Sequence, residues 1–108
     1  MIRSYNKGVK IINNSWGYDI FYYNSECRQA DTYMYILCMI VTDSASHDDF
    51  IAIFAAGNDG DMGYNTVSSP ALAKNVITVG AAGTRSYNSV NENYVMYFSS
   101  RGGLSSVN

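Results

Sequence analysis

The sequence predicts an α/β fold, part of a doubly wound parallel sheet in a three-layer αβα arrangement. Three observations lead there. Its short apolar runs are continuous rather than alternating, as in strands covered on both faces of a parallel sheet. A stretch free of glycine and proline separates the first two runs, as a crossover helix would. Two of the runs, moreover, open onto glycine and small hydrogen-bonding residues, where parallel sheets bind ligands beyond the carboxyl ends of their strands.

The first run, "GVKIINNS" (Gly8–Ser15), has a β-branched centre and reads as a strand. Glu26–Val41, "ECRQADTYMYILCMIV", follows Asn24-Ser25 and is long enough for a helix, with Ser25 as its N-cap and Arg28 and Gln29 in its first turn. Thr42–Asp49 is a polar loop. "DFIAIFAAG" (Asp49–Gly57) is the second strand, bounded by charge and glycine. From Asn58 to Lys74 the chain is rich in Gly, Asp, Asn and Ser and contains Ser69-Pro70, the composition of a long functional loop. "NVITVGAAG" (Asn75–Gly83) is a third strand, and "NYVMYFSS" (Asn93–Ser100), with less regular alternation, a fourth. Strand, helix and strand in succession imply a right-handed βαβ unit. No repeat, low-complexity segment or linker interrupts residues 1–108, which read as one piece of one domain.

Composition narrows the function classes. The 108 residues are 47% hydrophobic and 15% charged, enough to build a core. Seven basic and nine acidic residues give a net charge of −2 without a Lys/Arg cluster, which argues against nucleic acid as a partner. The most apolar window, Met34–Val41, is far shorter than the roughly 20 residues of a membrane span. The basic residues near the N-terminus are not followed by the apolar stretch of a signal peptide. Cys27 and Cys38 match neither a zinc motif nor a CxxC pair; buried or unpaired thiols are expected, with a single bridge as the alternative. His47, the only histidine, sits beside Asp48 and Asp49 in the polar loop and reads as solvated, neither a metal ligand nor a local triad.

Two strand ends carry the candidate chemistry: "NNSWG" (Asn13–Gly17) and "AAGND" (Ala55–Asp59). Neighbouring parallel strands would bring them to one crevice. Asn58, flanked by Gly57 and Gly60, has two readings here. It is a turn residue tolerant of left-handed backbone, or a hydrogen-bond donor aimed at a reacting carbonyl.

In order, "KIINNSWG", "IFAAGNDG", "SSPALAKNVITVGA" and "YFSSRG" resemble the central part of subtilisin-like serine proteases, the subtilase family, over about Gly8 to Gly102. The resemblance implies a subtilisin-like sheet and a role for each matching position. Asn58 is expected to be the side-chain donor of the oxyanion hole. Ser15, Trp16 and Gly17 are expected to line the cleft with their backbone and pair with an extended polypeptide substrate as an added strand. Gly17 would leave room for the residue before the scissile bond, with Ala55, Ala56 and Gly57 as the opposite wall. Ser68 would form a small uncharged floor, implying a preference for large neutral residues there. Ser69-Pro70 is expected to be cis. Plain packing competes with these roles: small residues also let strands approach closely, and Trp16 alone is more often a core aromatic.

None of the family's triad motifs (Asp-Thr-Gly, His-Gly-Thr-His or Gly-Thr-Ser-Met, or similar) occurs in the sequence. The chain is therefore expected to be inactive alone and to need the N- and C-terminal parts of a peptidase domain. Its expected function is that of a fragment of a serine endopeptidase; the alternative is a non-catalytic remnant that binds peptides or regulates. No cofactor is expected in this segment, although calcium is common in the family. Secretion or entry into the endomembrane system follows from the resemblance alone. Asn13-Asn14-Ser15 is formally a glycosylation sequon, at a strand end expected to be buried. Two features depart from the family: the stretch from Cys27 to Asp49 is longer than compact members have, and the match fails from Gly103 onward.

Overall fold

A computed structural model of the chain describes residues 2–40, 50–83 and 94–102. A short helix α1 (Ile2–Tyr5) precedes strand β1 (Ile11–Asn14), helix α2 (Ser25–Ile40), strand β2 (Ile51–Ala55) and strand β3 (Ile77–Val79). The three strands form one parallel sheet in the order β1-β2-β3. Ile11 pairs with Ile51 and Asn14 with Phe54, while Ile53 pairs with Ile77 and Ala55 with Val79. The three strands are shorter at both ends than the apolar runs that predicted them.

Side chains alternate across a strand, so Ile12, Asn14, Ala52 and Phe54 share one face. That face is the core side: Ala52 and Phe54 are buried with Ala71, against Ile12, Met34, Val67 and Val76. Truncating a fully buried phenylalanine such as Phe54 costs about 3–5 kcal/mol. Helix α2 reaches this side through Cys27, Ala30 and Met34, three and four residues apart and hence on one stripe. Cys27 and Ala30 pack with Ala73, Leu72 and Val76, and Met34 touches the Phe54 cluster. Cys27 is a free, buried thiol; the side chain of Cys38, like His47, Asp48 and Asp49, lies outside the described residues.

The other face is bare among the described residues. Ile11, Ile51, Ile77 and Val79 are 60%, 38%, 51% and 50% exposed. The helix layer is thus present on one side of the sheet, and the expected covering on both sides is not seen among these residues. Asn13 lies on the same bare face, so the sequon's acceptor position is exposed to a greater degree than buried Asn14; only the second of these two matches a buried strand end.

Two local expectations are corrected. The N-cap of α2 is Asn24, not Ser25: Asn24 Oδ1 accepts the Cys27 N–H at 3.2 Å, while the Ser25 hydroxyl donates to Glu26 at 2.8 Å. Either residue type can cap, and Ser69 decides between them, because its hydroxyl also donates to Asn24 Oδ1 at 2.7 Å and holds it in place. The fourth strand does not form either. Gly83 N–H donates to Tyr94 O and Met96 N–H to Ala81 O, an antiparallel bridge outside the sheet, and a turn follows in which Ser99 N–H donates to Met96 O. Tyr94, Val95 and Tyr97 stay exposed, so the apolar pattern there has no sheet face to bury against.

The 58–74 connection is irregular as expected, with one 3₁₀ turn at Gly60–Met62. Its far end is fastened to α2. Asp31 Oδ1 accepts the backbone N–H of Lys74 at 2.8 Å and of Asn75 at 2.7 Å, and its Oδ2 accepts the Tyr23 hydroxyl at 2.8 Å. The bond to Asp31, then burial, then the charge of Asp31 raise the Tyr23 phenol above its ordinary value of 10.0. No helix of the described residues is long and apolar enough to cross a membrane.

Candidate active site

Beyond Asn14 the chain leaves the sheet as the segment Ser15-Trp16-Gly17, and all three residues are exposed. Among the described residues none of the three has a backbone hydrogen-bond partner; pairing resumes at Tyr18, whose N–H donates to Ser69 O at 2.8 Å. Backbone with unpaired N–H and C=O groups is what strand addition requires. Trp16 is neither wholly core nor wholly surface. Its ring meets buried Phe54 edge-on at 5.6 Å and Tyr18 at 5.8 Å, yet half of the residue is exposed.

Beyond the end of β2, three backbone groups are engaged. Ala56 N–H donates to Val79 O at 2.9 Å, Ala56 O accepts Ser68 N–H at 3.0 Å, and Gly57 O accepts Ser100 N–H at 3.1 Å. The first segment thus has backbone without partners among the described residues, and the second has most of its backbone committed.

Ser68 joins the two segments. It is buried, and a Cβ built on Gly17 would lie 2.6 Å from its Oγ, one built on Gly57 3.1 Å from the same atom. The structure therefore brings Gly17, Ala56, Gly57 and Ser68 together, with Ala55 one residue before them on β2. The next peptide bond but one after Ser68, Ser69-Pro70, is cis as expected.

Asn58 lies one residue beyond Gly57 and is exposed. Its side-chain amide has no hydrogen-bond partner among the described residues. The left-handed backbone in this turn belongs to Gly57, with φ of 113°; among the described residues the non-glycine one with positive φ is Asn65 at 61°, not Asn58. The turn's conformational demand is thus met by glycine next door.

Sequence reasoning missed the serines beneath this tip. Ser99 and Ser100 are buried, and their only signal was their place in "YFSSRG". Ser99 Oγ accepts the Ala81 N–H at 2.9 Å and Ser100 Oγ the Asp59 N–H at 3.1 Å. Gly60 is pressed so closely on the Ser99 backbone that any side chain there would collide with it. A crevice of about 270 Å³, sharing Trp16 with the Ser15–Gly17 segment, runs between α2 and β1 and is lined also by Ile12, Asn14, Tyr33 and Phe54. Among the described residues no three His, Cys, Asp or Glu side chains are grouped to hold a metal ion.

Comparison with known proteins supplies the family. The model of the subtilase family matches residues 1–107. A serine protease/ABC transporter B family protein, tagD, from Dictyostelium discoideum is 35% identical over 85 residues, covering 74% of this chain. The chain spans only 4% of the length of that relative.

Proposed function

The chain belongs to the subtilase family, and from that premise we propose that it supplies the oxyanion hole and the substrate-cleft walls of a serine endopeptidase, with Asn58 as the donor. Peptide hydrolysis passes through a tetrahedral oxyanion, and a fixed amide N–H aimed at that oxygen lowers the barrier. The observation that carries the reading is the absence of any backbone reason for an asparagine at 58. Gly57 takes the left-handed conformation, and the Asn58 amide is exposed and uncommitted among the described residues. A residue kept for its turn propensity would be expected to use it.

The cleft follows from the same arrangement. An extended polypeptide adds along Ser15, Trp16 and Gly17, whose backbone groups have no partner among the described residues, and the residue before the scissile bond enters between Gly17 and the Ala55–Gly57 wall. Ser68 at the floor is small and uncharged, which favours large neutral side chains in that position. The nucleophile and its base come from outside this segment, so the chain by itself does not cleave peptides.

The test is Asn58→Ala in the full-length protein that carries this segment. The expected loss is about 10²–10³ in kcat with KM little changed, a magnitude taken over from the corresponding asparagine of subtilisin, the family's namesake. Unchanged kcat would overturn the oxyanion role. Peptide binding along Ser15–Gly17 without any hydrolysis by the full-length protein would instead favour a non-catalytic peptide-binding module.

A further inference from the structure

We infer that Ser100 is a positioning residue that sets the direction of the Asn58 amide, by clamping the backbone on both sides of it. Its backbone N–H donates to the carbonyl of Gly57 at 3.1 Å, immediately before Asn58. Its hydroxyl accepts the N–H of Asp59 at 3.1 Å, immediately after Asn58. One buried residue therefore holds the two peptide groups that flank the proposed donor. Its hydroxyl also lies 2.6 Å from where a Cβ on Gly57 would be, so Ser100 packs against Gly57 closely enough to exclude a side chain there.

The clamp is anchored at both of its own ends. Gly60 N–H donates to Phe98 O at 2.9 Å, a third tie between the 57–60 turn and the 98–100 segment. On the other side Ser99 Oγ accepts the N–H of Ala81, just past β3. Residues 98–100 thus brace the end of β2 against the end of β3. This matters because Asn58 itself makes no side-chain hydrogen bond among the described residues. An exposed side chain on a free turn would sample many directions, and electrostatic catalysis depends on donors oriented before the charge develops. The sequence hides the arrangement, since the three residues of the clamp lie about forty positions away from the turn that they hold.

The inference rests on the oxyanion reading of Asn58, and the experiment separates the two. Ser100→Ala, Asn58→Ala and the double variant are compared in the full-length protein by steady-state peptide hydrolysis and by amide hydrogen exchange. For Ser100→Ala the expectation is about a tenfold or greater fall in kcat with KM within about twofold, the pattern of a lost transition-state interaction. Exchange of the Asp59 amide should quicken about tenfold or more while that of Ala56, bonded to Val79, stays unchanged. The double variant should be no slower than Asn58→Ala, because the clamp acts through that side chain.

Additive losses, or an Asp59 amide that exchanges as before, would overturn the clamp. If Asn58→Ala leaves kcat intact while Asp59 exchange still quickens in Ser100→Ala, the oxyanion reading fails and the clamp stands as a structural one. Should Ser100→Ala fail to fold, Ser100→Cys keeps the shape with a much weaker acceptor; the same slower kcat and faster Asp59 exchange are expected, and their absence overturns the inference.

Discussion

Gly17 and Ser68 are so close that a methyl group on the glycine would lie 2.6 Å from the serine Oγ, closer than real Cβ atoms come. Gly17 closes the Ser15–Gly17 segment; Ser68 sits in the irregular connection after β2, bonded to the Ala56 carbonyl. Their contact is what brings two separate strand ends together.

Gly17→Ala is therefore expected to destabilise the fold by about 1–3 kcal/mol, the usual cost of overpacking. The Ser69 carbonyl, 3.1 Å from the same point, limits how far the new methyl can move. Adding Ser68→Gly should recover a substantial part of the loss, because it removes the nearer obstacle. Denaturant melts of the two single variants and the double variant, made in the full-length protein, check this, and strict additivity would show that the contact is not the cause.

Tyr23 is expected to ionise at higher pH than an ordinary tyrosine, since its hydroxyl donates to Asp31 and would lose that bond as a phenolate. Its folded-state pKa lies above its unfolded one, so the folded state holds the proton more tightly. The stability this contributes is fully present below the unfolded value near 10 and is lost as pH rises through the folded value. Phenolate absorbance should show the late-titrating group disappear in Tyr23→Phe and move back toward the ordinary value in Asp31→Asn.

The bare sheet face predicts association. Ile11, Ile51, Ile77 and Val79 are exposed apolar residues on one face of three strands, and such surfaces seldom stay in water. The 108-residue chain expressed by itself should self-associate or aggregate, with a broad rather than cooperative melt. Replacing Ile11 and Ile77 by threonine should shift the population toward monomer in sedimentation velocity. A monomeric parent chain with a sharp melt would contradict this.

The strands β1, β2 and β3, the helix between the first two and the loop with its cis Ser69-Pro70 were all legible in the sequence. Continuous apolar runs and a long helical stretch are local signals, and four family motifs in order are stronger still. The helix cap and the fourth strand depart from expectation for a common reason. Asn24 caps because Ser69, distant in sequence, holds its side chain, and residues 94–100 bend away from the sheet because Ala81, Gly83 and the 57–60 turn claim their backbone. No window of neighbouring residues contains that information.

From the residues alone, the chain was already a piece of a parallel α/β sheet with glycine- and asparagine-bearing strand ends, and those ends already pointed to the family. Apolar patterning and motif order are properties of the chain read in one dimension, so they survive without coordinates. Only the tertiary structure decided that Ser68 lies between Gly17 and Gly57, that the left-handed turn belongs to Gly57 rather than Asn58, and that Ser100 holds the backbone on both sides of that asparagine. Each is a contact or a dihedral angle set by packing between segments far apart in sequence, and it exists only once the strands have been brought side by side.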